Sequence, residues 1–119
     1  PHIDERPAGY SPQHIAALRH YGFDGAIISD DLDMAGAQGI ADPGERFQTA
    51  LAAGADVTLM CNDLAAIRQA LNRDYRLPDA TNSARRLAAL HARPIDTATA
   101  AAHYRAAQEL LQAHSADLV

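Results

Sequence analysis

"GAIISDDLDM", residues Gly25–Met34, decides the fold. The apolar run Ala26-Ile27-Ile28 ends in two adjacent carboxylates, Asp30 and Asp31. A short apolar run opened by a glycine reads as a strand, predicted over Gly25 to Ser29. Upstream, "SPQHIAALRHYG" reads as a helix. Ser11 is its N-cap, Pro12 its first residue and Gly22 its stop, with Ile15, Leu18 and Tyr21 on one face. Downstream comes a loop carrying Gly36 and Gly39. Asp42-Pro43-Gly44-Glu45 then forms a capping box with Asp in the Ser/Thr place, opening a helix through Ala53 that Gly54 stops.

"DVTLMCN" predicts a second strand over Asp56 to Cys61. Asn62 or Asp63 caps a third helix with Leu64, Ile67 and Leu71 at helical spacing. Beyond Pro78 two more helices are expected, from Asn82 to about His91 and from Thr97 to about His114. Helix and strand alternate, so the fold class is α/β with a parallel sheet. Parallel sheets are covered on both faces, and two strands alone do not satisfy that. The stretch from Arg73 to Asn82 is the expected boundary. Residues 1–75 hold the strand–helix units, and residues 76–119 form a helical tail packing on them.

Composition narrows the function. The 119 residues carry a formal charge of -5, and all ten bases are arginine. With no basic stripe, neither nucleic acid nor an anionic membrane surface is an expected partner. No apolar run approaches the roughly 20 residues that a membrane-spanning helix needs. The lone Cys61 has no internal disulfide partner, which suits a reducing compartment. The start, "PHIDERPAGY", has neither an initiator Met nor a signal-peptide pattern, so a chain cut from something longer is expected.

Functional residues in parallel α/β folds sit at the carboxyl ends of strands. Asp30 holds that place after the first strand, and Cys61 and Asn62 after the second. By strand alternation Asp30 and Asp31 point opposite ways, one toward the site and the other into the turn. Four readings compete. The two acids are simply turn and cap residues. They form a phosphoacceptor, against which stand the missing lysine and Ala35 in place of a proline. They form a metal site with Asp33, but "DDLDMAGAQGIA" lacks the spacing and closing Glu of a calcium loop. Or one is the nucleophile of a retaining glycosidase, an ionised carboxylate held rigidly at a strand tip.

"RPAGYS", "YGFDGAIISDDLDMAGA" and "ALAAGADVTLMCND" together resemble the family 3 glycoside hydrolases. The nearest subgroup is the bacterial cytoplasmic β-N-acetylhexosaminidases of cell-wall recycling. The resemblance covers residues 5 to about 75. It implies a (β/α)8 barrel of which this chain supplies the last two strands, beginning just after the sixth. It implies removal of terminal β-linked N-acetylglucosamine from muropeptides, in the cytoplasm, with retention of configuration.

Carried over by position, Asp30 is the nucleophile and Asp31 supports it. Met34 lines the sugar pocket or packs in the core. Asn62 borders the site or caps a helix. The family's Lys-His sugar-binding motif and its loop histidine acid/base have no counterpart here; His2, in "PHID", lacks the required neighbours. The expected partner is therefore the N-terminal remainder of the same enzyme, in the same or a separate chain. No metal or organic cofactor is implied. The isolated chain is expected to be inactive and to expose apolar faces of both strands. A family 3 β-glucosidase and a non-catalytic or receiver-like α/β module are the alternatives.

Overall fold

The computed structural model describes residues 3–92 and 94–115. Pro1, His2, Arg93 and residues 116–119 lie outside the description, His2 of the sequence reading among them. Five α-helices and two strands follow in the order α1 (Pro12–His20), β1 (Ile28–Asp31), α2 (Pro43–Ala53), β2 (Val57–Leu59), α3 (Leu64–Leu71), α4 (Ala80–Ala88) and α5 (Thr97–Ser115). Short 3-10 turns at Ala8–Tyr10 and Ala35–Ala37 flank the first two elements. The class is α/β, and β1 and β2 pair in parallel.

The helices begin where polar side chains supply acceptors for orphan N–H groups. Ser11 Oγ accepts from the His14 N–H at 3.2 Å. Asp42 Oδ1 accepts from Glu45 at 2.8 Å, and Asp63 Oδ1 from Ala65 and Ala66. Asp63, not Asn62, is thus the cap of α3. The fourth helix starts earlier than Asn82 because Asp79 caps it, accepting from the Asn82 N–H. Gly54 ends α2 at φ 110°, a left-handed conformation that glycine adopts without steric cost.

α2 organises the packing. It touches α1, α3, β2 and the Ala8–Tyr10 turn. Phe47 and Ala50 on its inner stripe meet Tyr10, Leu32, Ala37 and Ala70 in the core. The other side of the sheet is more open. Ile28 is 51% exposed and Leu59 40%. An apolar groove of about 510 Å³ runs beside β1, between Ile15, Leu18 and Tyr21 of the α1 region and Ile27–Asp30.

Both strands differ from the sequence expectation. β1 starts three residues later than predicted and takes in both acids; β2 is shorter at each end. The cause is the pairing. At the amino end of the sheet Ile27 C=O accepts from both Asp56 and Val57, at 2.8 and 3.2 Å, and the ladder starts after that fork. At the carboxyl end Leu32 N–H donates to Leu59 C=O at 2.9 Å, which draws Asp31 into the strand.

α4 is fastened to the sheet through buried Asp56. Its carboxylate accepts from the Ile27 N–H (2.8 Å), Ser83 Oγ (2.7 Å), Arg19 Nη2 (3.0 Å) and Arg86 Nη1 (3.1 Å). Burial alone would raise this carboxyl; the hydrogen bonds from Ile27, Ser83 and Arg86 outweigh it and hold the group below the usual carboxylate range. α5 is solvent-exposed along nearly all its length.

Candidate active site

The carboxyl end of the sheet collects three aspartates, and their surroundings sort them. Asp31 is fully engaged. Its Oδ1 accepts from the Asp33 N–H at 3.0 Å and the Cys61 N–H at 3.1 Å, and its Oδ2 from Asn62 Nδ2 at 2.6 Å. It therefore ties the tip of β1 to the residues after β2. Asp33 does the same one step out. Its Oδ2 accepts from the N–H groups of Asn62 and Asp63, both at 3.0 Å. Its Oδ1 lies 3.5 Å from Arg46 Nη1.

Asp30 is different. It is exposed, and among the described residues its carboxylate accepts a single hydrogen bond, from the Asp31 N–H at 2.8 Å. Among the described residues it has no ion-pair partner. It lines a cavity of about 240 Å³ whose wall includes Tyr10, Leu32, Met34 and Ala37. A carboxylate so placed keeps oxygen lone pairs open to an incoming group, whereas those of Asp31 and Asp33 are taken up by their donors.

The loop carrying Met34 hangs from Arg46 on α2. That guanidinium donates to the carbonyls of Ile40 (2.6 Å), Leu32 (3.1 Å) and Ala41 (3.2 Å) as well as facing Asp33. One side chain thus gathers both ends of the loop. Tyr10 forms part of the cavity wall. Its phenol donates to Ala37 C=O at 3.3 Å, and burial raises its pKa, so it remains protonated.

Of the residues singled out from sequence, Asp30, Asp31 and Met34 thus line one cavity. Asn62 lies elsewhere: its side chain is spent on Asp31, and it lines a separate polar cleft with Asp33, Arg46 and Asp63. Among the described residues no group of three or more His, Cys, Asp or Glu side chains is arranged to hold a metal ion. The aspartates face N–H donors instead. No described helix is long and apolar enough to cross a membrane.

Sequence reasoning passed over Tyr10, Ser29 and Arg46. Tyr10 stood inside "RPAGYS", and Arg46 was visible as a charge on the apolar stripe of α2 with Phe47 and Ala50. Ser29 carried a signal only in being a buried polar residue at the end of an apolar run.

The family described as Glycosyl hydrolase family 3 N terminal domain matches residues 1–90. The chain belongs to glycosyl hydrolase family 3. It is also similar to proteins named Beta-hexosaminidase. One from Pseudomonas aeruginosa is 44% identical over 79 residues, covering 65% of this chain and 24% of the relative. One from Neisseria meningitidis serogroup C is 40% identical over 81 residues, covering 66% and 22%. One from Bordetella avium is 38% identical over 96 residues, covering 79% and 27%. The chain therefore spans about a quarter of the length of the curated relatives it matches.

Proposed function

We propose that this chain supplies the nucleophile of a retaining glycosidase that releases terminal β-linked N-acetylglucosamine from muropeptide-derived sugars. The observation that carries it is the division of labour among the three aspartates. Asp30 alone presents a carboxylate to a cavity with only one backbone donor on it, while Asp31 and Asp33 are consumed in holding the strand tips. The name shared by the relatives supplies the sugar class.

In this mechanism an Asp30 oxygen attacks the anomeric carbon as the bond to the leaving oxygen breaks, giving a glycosyl ester. Water then attacks the same carbon and frees the carboxylate, so configuration is retained. The Asp31 N–H on Oδ1 fixes the direction of the other lone pairs and stabilises the anion before attack. The Tyr10 ring and Met34 offer an apolar wall to the face of a sugar. A second group must protonate the leaving oxygen and then activate water. Neither Asp31 nor Asp33 is free to do so, and in this proposal the group belongs to a preceding segment of the same enzyme. β1 and β2 are then neighbouring strands of a larger parallel barrel, which fits the exposed Ile28 and the apolar groove along β1.

The test is Asp30→Asn in the enzyme carrying this chain, assayed with an aryl β-N-acetylglucosaminide. Turnover should fall by about 10⁴-fold or more, the order lost when a covalent nucleophile is removed, with an unchanged circular dichroism spectrum. Undiminished turnover refutes the assignment. Preference for the aryl β-glucoside would move the enzyme to the glucosidases of the family. The isolated 119-residue chain should be inactive in the same assay.

A further inference from the structure

Between Ile28 and Asp31, β1 uses three steps where β2 uses two, since Ile28 pairs with Val57 and Asp31 with Leu59. One residue is extra, and a bulge of this kind re-aims a side chain. The atoms that make it are specific. In a regular parallel ladder the Leu59 N–H would donate to a main-chain carbonyl of β1. Here it donates to Ser29 Oγ at 2.9 Å, and the same hydroxyl donates to Asp30 C=O at 2.8 Å. The Ser29 hydroxyl is inserted into a ladder bond.

Two consequences follow for Asp30. Regular pairing after Ile28–Val57 would send the Asp31 N–H to Leu59 C=O. The bulge gives that carbonyl to the Leu32 N–H instead, at 2.9 Å. The released Asp31 N–H is the one that holds Asp30 Oδ1, at 2.8 Å. The same extra residue leaves Asp30 exposed at the cavity, while Ser29 on one side and Leu32 on the other are buried, Ser29 at 7% exposure.

We infer that Ser29 is a positioning residue for the nucleophile: its hydroxyl keys a bulge that aims the Asp30 carboxylate and frees the N–H that holds it. The inference rests on the nucleophile reading above and deepens it. Ser29 never touches the sugar. It acts through the backbone of Asp30 and Asp31. Displacements near 1 Å at a reacting group cost on the order of 10²-fold in rate.

The test compares Ser29→Thr with Ser29→Val in the complete enzyme. The two side chains share one shape and differ only in the hydroxyl. With an aryl β-N-acetylglucosaminide, kcat per mole of folded protein should stay within about threefold of wild type for Ser29→Thr. For Ser29→Val it should fall by about 10- to 100-fold, with KM changed less than threefold and faster exchange of the Leu59 amide. If Ser29→Val does not fold, Ser29→Ala serves in its place, with the same expected split. Equal kcat for the hydroxyl-bearing and hydroxyl-free variants overturns the inference. Full activity of Asp30→Asn would instead overturn the nucleophile reading, whatever the Ser29 variants do.

Discussion

Removing the buried Asp56 carboxylate should destabilise the protein more than the single changes at Gly54, Arg46 or Asp24. The side chain is 2% exposed and stands between two arginines whose own exposures are 23% and 11%. Asp56→Ala strips an acceptor from the Ile27 N–H and from Ser83 Oγ, both inside the fold, at about 1 kcal/mol each or more. It also leaves two guanidinium groups short of a counter-charge. Breaking one partner out of a buried ion pair costs about 3–5 kcal/mol. The lower end applies here, because Arg19 keeps the carbonyls of Phe23 and Gly25, and Arg86 keeps Asp24 and Asp79 at 3.6 and 3.8 Å.

A loss of about 3 kcal/mol is a large share of the about 5–15 kcal/mol of a typical domain. With a urea m-value near 2 kcal/mol per M, the midpoint should drop by about 1.5 M. The pH dependence has a definite sign. Asp56 has a lowered pKa when folded, so its contribution is complete above the ordinary carboxylate pKa of about 3.9 and is lost as pH falls through the folded value. The gap between wild type and Asp56→Asn should therefore be widest near neutrality and close below about pH 4. Urea unfolding followed by far-UV circular dichroism at pH 7 and pH 3 measures both. A midpoint within 0.3 M (an order-of-magnitude threshold) of wild type for Asp56→Ala at pH 7 would refute the reasoning.

Gly54→Ala should destabilise by about 1–2 kcal/mol, because φ is 110° there and a new Cβ would sit 2.9 Å from Ile15 Cγ2; an unchanged melting temperature counts against it. Arg46→Met keeps the stem but deletes the guanidinium donors to the carbonyls of Leu32, Ile40 and Ala41. Amide exchange across that loop should accelerate by about tenfold or more while the helix amides of α1 stay as they were, and unchanged loop exchange would show that something else holds it. Asp24→Ala, at the exposed partner of Arg85, should leave the urea midpoint where it was, as exposed pairs generally do.

What could be read from the sequence was local. The caps at Ser11 and Asp42 and the stop at Gly54 lie within a few residues of the N–H groups or turns they serve, so short patterns found them, and the cap of α3 was narrowed to Asn62 or Asp63. The strand limits and the roles of the acids were harder, because both depend on partners about thirty residues away. Asp56 read as the first residue of a strand. Nothing nearby revealed that α4 would deliver Ser83 and Arg86 to it. The bulge was invisible for the same reason: register is a property of the pair, and a one-residue slip changes which side chains share a face. Strict alternation predicts that Asp30 and Asp31 point opposite ways, but it gives no hint that a serine hydroxyl breaks the ladder beside them or that both line one cavity.

Asp30 and Asp56 make the functional argument sharper than either does alone. They flank one two-stranded sheet, Asp56 at its amino end and Asp30 at its carboxyl end. The fold gives the first four donors and buries it, and gives the second one donor and a cavity. A carboxylate with four donors has its lone pairs committed, so it is a weak nucleophile and a strong fastening. A carboxylate with one donor keeps oxygen lone pairs for an electrophile. On the nucleophile proposal, exchanging the environments would cost the sheet its fastening and the site its attacking group. Adding a second fixed donor to Asp30, for example through an arginine at the cavity wall, would lower its basicity and slow attack even with the substrate well placed. If Asp30 is the nucleophile proposed above, its reactivity depends on what the fold withholds from it, and Asp31, Asp33, Ser29 and Arg46 are the groups that let it be withheld without loosening the loop.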